Sequence, residues 1–129
     1  MKDSAENKIE AQMEMSRKRL KAAKLLIKNG MFEDSINRIY YALFYAAKSM
    51  LNVSGYDAKT HSGLLSEFGL RLVKEKIVEE RLGKILRKSF ELRETSDYKI
   101  GAIFGEEEVR NLLKSAEDFI KFAEKFVKK

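Results

Sequence analysis

The amino-acid sequence predicts an all-α protein, an antiparallel four-helix bundle with one additional short helix. Apolar residues recur at helical spacings of three and four over long stretches. No stretch alternates apolar and polar residues for long enough to form a strand. Glycines separate the helical stretches, and proline is absent from the chain. At 129 residues the chain has the usual size of one domain, so we expect a single helical domain over residues 1–129.

The first two helices are separated by a glycine. The first is expected from about Ser4 to Asn29, with Gly30 as the residue that follows its end. One of its faces carries residues at alternating spacings of four and three, namely Ile9, Met13, Ser16, Leu20, Ala23 and Ile27. The second is expected from about Glu33 to Leu51 and is the most apolar, with a stripe formed by Ile36, Tyr40, Leu43, Ala47 and Met50. A turn-rich loop from Asn52 to Thr60 follows it.

Three further helices complete the predicted bundle. A short one from about Ser62 to Glu75 contains Gly69, although glycine is unfavourable inside a helix. A neighbouring backbone packed close to this glycine would explain its presence. The next, from about Glu79 to Lys99, has a face that turns polar toward its end. The last, from Glu106 to Val127, begins with three glutamates, which suit the positive end of a helix dipole. Its apolar side comprises Val109, Leu112, Leu113, Ala116, Phe119, Ile120, Ala123 and Phe126.

Composition excludes several classes of site. The chain has no cysteine and one histidine, so we expect no disulfide, no metal site and no cysteine nucleophile. Because it also lacks a phosphate-binding loop, a dinucleotide-binding glycine motif and a serine nucleophile elbow, we expect no cofactor. No apolar stretch has the length of a membrane span, and the N-terminus lacks the apolar core of a signal peptide. A cytoplasmic protein without membrane association is therefore expected.

The chain is basic, with a net charge of +6. This charge favours an anionic partner, although basicity of this size is common in proteins that bind no nucleic acid. The most basic segment lies on the first helix and comprises Arg17, Lys18, Arg19, Lys21 and Lys24. These side chains could meet phosphates, but a run of charges on a helix is more often its solvated face.

Polar residues interrupt the apolar stripes of two helices. In the second helix Arg38 and Tyr41 share one face by their spacing of three, and Asn37 adjoins them. In the fourth helix Arg93 and Asp97 are four residues apart and also share a face. A guanidinium within a run as apolar as that of the second helix needs a partner, and Asp97 could reach Arg38 across a helix pair.

Together with His61, at the start of the short helix, these residues allow two interpretations. They could form a structural cluster, in which Arg38 and Asp97 make a buried ion pair completed by tyrosine hydroxyls. They could instead form a site for catalysis or for binding a nucleotide or RNA. Since structural ion pairs imitate active sites, the residues alone favour the first interpretation and predict the Arg38–Asp97 pair inside the bundle.

Three ordered blocks of sequence resemble the small prokaryotic HEPN-domain proteins. They are S-I-N-R-I-Y-Y-A-L-F-Y-A-A (Ser35 to Ala47), K-T-H-S-G (Lys59 to Gly63) and R-E-T-S-D-Y (Arg93 to Tyr98), and they run from the second helix through the fourth. The resemblance implies a bundle of four long helices plus a short one, commonly a homodimer. It also implies a gene often encoded beside a small nucleotidyltransferase as a toxin and antitoxin pair. Many members of that family are metal-independent ribonucleases.

This sequence departs from the ribonuclease motif of that family. There an Arg is followed, after four to six residues, by a His; Arg93 matches the Arg, but Tyr98 stands after the next four residues and no histidine follows it. Metal-independent RNA cleavage needs a group to remove the 2′-hydroxyl proton, and a tyrosine with a pKa near 10 does this poorly. We therefore expect little or no ribonuclease activity, and any that exists should depend on Arg93 and His61 together, with Tyr98 as the other candidate.

Three functional hypotheses remain open. The first is a HEPN module without strong catalysis, which acts with a nucleotidyltransferase or binds a nucleotide or RNA through Arg38, Arg93 and the tyrosines. The second is a ribonuclease toxin, and the third is a purely structural, dimerising bundle. A homodimer is also favoured by aromatic residues that lie off the apolar stripes, namely Tyr45, Phe90, Phe104 and Phe122.

Overall fold

The computed structural model describes residues 4–99, 101 and 103–128. Within this part of the chain there are five α-helices and no strand. Their bounds are Ser4–Lys28 (α1), Phe32–Val53 (α2), His61–Phe68 (α3), Glu80–Tyr98 (α4) and Glu106–Val127 (α5). The all-helical prediction of four long helices and a short one is confirmed, while residues 1–3, 100, 102 and 129 of the predicted domain lie outside the description.

The most apolar helix, α2, lies at the centre of the bundle and contacts each of the other four. The stripe predicted for it is buried, since none of Ile36, Tyr40, Leu43, Ala47 and Met50 is more than 1% exposed. A buried hydroxyl needs a partner, and Ser16 of α1 donates to the carbonyl of Ala42 in α2 at 2.6 Å. The buried stripes of α1 and α2 therefore pack directly against each other.

Glycine ends α1 and lets the chain turn back. Gly30 has a φ of +75°, in the left-handed region that favours glycine. The N–H of Met31 then donates to the carbonyl of Leu26 at 2.8 Å, which satisfies a carbonyl at the helix end. Because the reversal takes only a few residues, α2 runs back along α1, as predicted.

The third helix differs from its prediction. It begins at His61, and after Phe68 the chain continues as a π-helical turn, Gly69–Val73, instead of an α-helix to Glu75. The N–H of Lys74 bonds the carbonyl of Gly69, five residues back, at 2.8 Å, and Leu72 is fully buried. The expectation of a backbone packed against Gly69 is wrong, since nothing lies within 4 Å of a Cβ built there.

Candidate functional site

The N-terminus of α3 sets the position of His61, the first residue of that helix. Thr60 caps the helix, since its side chain accepts a hydrogen bond from the N–H of Gly63 at 2.9 Å. A Cβ on Gly63 would lie 2.7 Å from Thr60 Oγ1, so the cap requires a glycine three residues after the threonine. The K-T-H-S-G block is thus the local reason that His61 has a defined place.

The loop before α3 is tied to the central helix by Lys48 of α2. Its Nζ donates to the carbonyl of Ala58 at 3.3 Å and lies 3.7 Å from Asp57 Oδ1. The same carboxylate oxygen accepts from the N–H of Ala58 at 2.8 Å, which closes the turn. These contacts hold the start of α3 against the outer side of α2.

Tyr40 of α2 is the centre of the site. It is only 1% exposed, and its hydroxyl forms a 2.5 Å hydrogen bond with His61 Nδ1. The imidazole also lies against two other rings of α2, with centroid distances of 4.8 Å to Phe44 and 5.7 Å to Tyr41. His61 is therefore held by one hydrogen bond and by contacts with three aromatic rings of α2.

Arg93 of α4 approaches the same tyrosines from another helix. Its guanidinium carbon lies 5.1 Å from the centre of the Tyr40 ring and 5.8 Å from that of Tyr41. The side chain is only 13% exposed, so the cation is largely removed from water. The fold thus brings Arg93 and His61, thirty-two positions apart in the chain, to one pair of aromatic rings.

Two carboxylates lie near Arg93, but the hydrogen-bonding capacity of its guanidinium is incompletely used. Its Nε lies 3.1 Å from Asp97 Oδ2, and its Nη1 lies 3.7 Å from Glu94 Oε1. Nevertheless Nε is buried and makes no hydrogen bond, because the angles of its contact with Asp97 do not suit one. The contact with Asp97 is therefore an ion pair that is defined by distance alone. A fork of donors with such loose partners keeps the capacity to bind an anion.

The predicted buried pair of Arg38 and Asp97 is wrong. Arg38 is exposed, and the ion-pair partner of Asp97 is Arg93 on the same helix. The reason is helical geometry: Arg38 is two residues from the buried Tyr40, or about 200° around α2. Arg38 and Asn37 instead line a surface groove, with Asp97 on its other side.

Tyr98 lies apart from the site. Its side chain is 74% exposed, and no hydrogen bond or ring contact joins it to Arg93 or His61 among the described residues. Five positions along a helix turn a side chain by about 140° relative to Arg93, which explains the separation. Of the residues singled out in the sequence, the structure brings together Arg93, His61, Tyr41 and Asp97.

Sequence reasoning assigned Tyr40 to the core and missed its contact with His61. Both properties hold, since the ring is buried while the hydroxyl bonds the imidazole. A signal was present: a tyrosine in the centre of a buried stripe needs a hydrogen-bond partner for its hydroxyl, whereas a phenylalanine would not. The sequence could not say which partner.

Comparison with known proteins identifies the family. The family model described as the HEPN domain matches residues 9–126. The chain belongs to the HEPN domain family. The match includes α2, α3 and α4, the helices that carry Tyr40, His61 and Arg93.

Three relatives align with this HEPN domain over most of their length. A protein of Thermotoga maritima named "UPF0332 protein" is 40% identical over 87% of this chain and 85% of its own. A protein of Methanocaldococcus jannaschii named "Putative toxin" is 37% identical over 93% of this chain and 89% of its own. An Archaeoglobus fulgidus "UPF0332 protein" is 32% identical over 95% and 98% of the two chains. The relatives are thus prokaryotic proteins of similar extent.

Two features are absent from the described part of this HEPN domain. None of the helices described here combines the length and the apolarity that crossing a bilayer requires. In the described part of the chain, no three His, Cys, Asp or Glu side chains are grouped so that they could hold a metal ion.

The hydrogen bond to Tyr40 determines which nitrogen of neutral His61 carries the proton. Burial raises the pKa of Tyr40 far above its ordinary value, and the charge of Arg93 only partly opposes this, so the hydroxyl keeps its proton. The phenol proton is more acidic than the N–H of a neutral imidazole, so the hydroxyl donates and Nδ1 accepts. Neutral His61 then carries its proton on Nε2 and offers an N–H, not a lone pair, to a ligand.

We expect His61 to titrate below its ordinary pKa of about 6.5. Partial burial lowers the pKa, Arg93 and Lys48 lower it further, and Glu94 opposes them. Because the folded state disfavours the imidazolium, the stability that neutral His61 contributes is complete above about pH 6.5 and is lost as the pH falls through the folded-state pKa.

The chain has one histidine, so a single imidazole pattern in ¹⁵N NMR reports both its pKa and its tautomer. We expect the Nε2–H form in the native protein, since the Tyr40 hydroxyl donates to Nδ1. A midpoint at or above 6.5, or an Nδ1–H form in the native protein, would contradict the geometry described here.

Proposed function

We propose that this HEPN domain binds the phosphate group of RNA or of a nucleotide at Arg93 and His61, acts with a small nucleotidyltransferase partner, and has no strong catalytic activity of its own. The observation that carries the proposal is the convergence of both side chains on Tyr40 and Tyr41. They come from α4 and α3, so only the folded bundle assembles them.

The chemistry of the two side chains suits a phosphate. Arg93 supplies a permanent charge and a planar fork of donors, which matches phosphate oxygens. His61 adds the Nε2–H donor that its bond to Tyr40 leaves available. The low exposure of Arg93 strengthens its attraction to an anion, since a partly desolvated charge is screened less by water and salt.

A metal-independent ribonuclease toxin is the second candidate. The proximity of His61 to Arg93 favours it, because histidine is the residue whose ordinary pKa lies near neutrality and the sequence has one. A proton on Nε2 opposes it, since a general base needs a free lone pair directed at the 2′-hydroxyl. A guanidinium group is a permanent cation without a lone pair to accept a proton, so Arg93 cannot be that base, and the exposed Tyr98 lies away from the site. We therefore place binding before cleavage.

The nucleotidyltransferase partner and a homodimer are also part of the proposal. The relatives named as toxins support a toxin and antitoxin pair, in which a HEPN protein acts with a second protein. Copurification with the product of the neighbouring gene tests that partner. For the homodimer, light scattering at micromolar concentration should give twice the mass of the 14.9 kDa chain, whereas a monomer mass would count against it.

The direct test is RNA binding by an Arg93→Gln variant. Replacing the guanidinium removes a charge-assisted contact, so we expect a fluorescein-labelled 12-nucleotide RNA to bind about 10 to 100 times more weakly in fluorescence anisotropy. Arg81→Gln is the matched control, because Arg81 also lies on α4 and pairs with a carboxylate, Asp118, at 3.0 Å. Its affinity should stay within two-fold of wild type, because Arg81 faces α5 about 18 Å along α4 from Arg93.

The same samples separate binding from cleavage. Gel electrophoresis of the RNA after incubation with EDTA should show little or no cleavage by the wild type. Equal affinity of Arg93→Gln and wild type would refute the binding site. Robust cleavage that is lost in both Arg93→Gln and His61→Ala would establish the ribonuclease candidate instead, and cleavage that survives His61→Ala would direct attention to Tyr98.

A further inference from the structure

The outer face of α2 combines basic and aromatic side chains. Arg38, Tyr41, Tyr45 and Lys48 follow one another at spacings of three, four and three, so they share one face of the helix. Arg38 is exposed and the other three are half-buried. From Arg38 to Lys48 this α2 face extends about 15 Å, or three helical turns.

A side chain of α1 extends this α2 face sideways. The guanidinium carbon of Arg19 lies 5.9 Å from the centre of the Tyr45 ring, near the outer limit of about 6 Å for cation–π attraction. Such a loosely held guanidinium can turn toward a phosphate without breaking a strong contact. Arg19 and Tyr45 therefore form a second basic and aromatic pair beside that of Arg93 and Tyr41.

The fold does not use the charges of Arg19 and Arg38. Within the described residues neither side chain forms an ion pair, although Arg17, two positions from Arg19, lies 3.3 Å from Glu124. Arg17 faces α5, whereas Arg19 faces α2. Three carboxylates line the groove beside Arg38 without pairing with it, so Arg19 is the more available of the two charges for an external anion.

The α2 face is continuous with the site of Arg93 and His61. Tyr41 belongs to both, since its ring lies 5.8 Å from the guanidinium carbon of Arg93 and 5.7 Å from the His61 ring centre. A chain-like ligand with one phosphate at Arg93 could therefore extend along this face to Tyr45 and Arg19. Asp34, one turn before Arg38, and Asp57, beside Lys48, bound the surface at its two ends.

We propose that the α2 face and Arg19 bind a single-stranded RNA segment, with phosphates at Arg19 and Arg38 and a base stacked on Tyr45. This rests on the proposed function in taking RNA as the ligand, and it adds a second contact region. Alternating aromatic and basic side chains suit a single strand, whose bases are free to stack, while a duplex keeps its bases inside.

The test compares a long and a short ligand with variants of the second region alone. The ligands are a fluorescein-labelled oligouridine 12-mer, followed by anisotropy, and uridine 5′-monophosphate, followed by NMR of His61. Arg19→Gln should weaken the 12-mer several-fold and lower the slope of log affinity against log salt by about 0.7, the value for one lost contact to a single strand. Tyr45→Leu should weaken it about five-fold or more, and Tyr45→Phe should retain binding because the ring can still stack.

Arg17→Gln is the matched control, since it removes the same group from the α5 side of α1. It should leave the affinity for the 12-mer unchanged, and thermal melting of every variant shows whether it is folded. None of the variants should change the effect of uridine 5′-monophosphate on His61. An abasic 12-mer, which retains phosphates but has no bases, should bind wild type and Tyr45→Leu equally.

The outcomes separate this proposal from the preceding one. If the wild type binds the 12-mer but folded Arg19→Gln and Tyr45→Leu match Arg17→Gln, the second region is refuted and the Arg93 site stands. If neither ligand binds the wild type, both proposals fail. Equal affinity for a duplex and for the single strand would also overturn the proposal for the α2 face. Loss of a dimer in Arg19→Gln would overturn it as well, by showing that another copy of the chain occupies this face.

Discussion

Replacing Phe119 with alanine is expected to lower the free energy of unfolding by about 3 to 5 kcal/mol, the usual cost of removing a fully buried aromatic ring. Phe119 of α5 is 0% exposed, and its ring centre lies 5.7 Å from that of Phe68 in α3. The substitution leaves a cavity at the contact between two helices, and the surrounding side chains can fill it only in part. Urea unfolding followed by circular dichroism measures the loss.

Phe122→Ala is the matched control, because Phe122 lies on the same helix but is only half-buried. Its ring stacks against that of Phe126 at a centroid distance of 6.1 Å, near the outside of the bundle. We expect less than half of the loss found for Phe119→Ala, since less apolar surface is removed from contact. A larger loss for Phe122→Ala would mean that the core is centred elsewhere.

Removing the ring of Tyr40 should have a comparable effect on stability and also abolish the site. Tyr40 is 1% exposed and contacts Tyr41, Phe44, Phe90 and His61, with ring centroids 5.2 to 6.2 Å away. We expect Tyr40→Ala to cost about 3 to 5 kcal/mol, as for other buried aromatic residues. The variant should also lose RNA binding, because both Arg93 and His61 lie against this ring.

Tyr40→Phe separates the ring from the hydroxyl. It retains the packing and removes the hydrogen bond to His61, so we expect a loss of about 0.5 to 1.5 kcal/mol. RNA affinity should fall only moderately, since Arg93 keeps its place against the ring. If Tyr40→Phe destabilised the protein as much as Tyr40→Ala, the hydroxyl would contribute more to the free energy of unfolding than the ring, which would contradict the expected cost of about 3 to 5 kcal/mol for losing the ring.

The family resemblance and the helical pattern could be read from the sequence. The HEPN family, suggested by three blocks of residues, is shown by the match over residues 9–126. The predicted last helix, Glu106 to Val127, has the bounds of α5, because three glutamates mark its start and a long apolar stripe runs to its end. The short helix was less accurately predicted, since a π-helical turn after Phe68 has no counterpart in the simple helical period.

By itself, the sequence determined which face of each long helix is buried, because the period of 3.6 residues aligns apolar side chains on one face. The packing of α2 on four neighbours widened its buried face to include Ile39, Ala42 and Ala46. Only the tertiary structure decided which polar side chains meet, since that depends on how each helix is rotated about its axis and which neighbour it faces. Asp97 therefore pairs with Arg93 and not with Arg38. His61 forms a hydrogen bond with Tyr40, which the apolar stripe of α2 had assigned to the core. A contact between helices depends on the packing of both, and neither helix's periodicity contains that information.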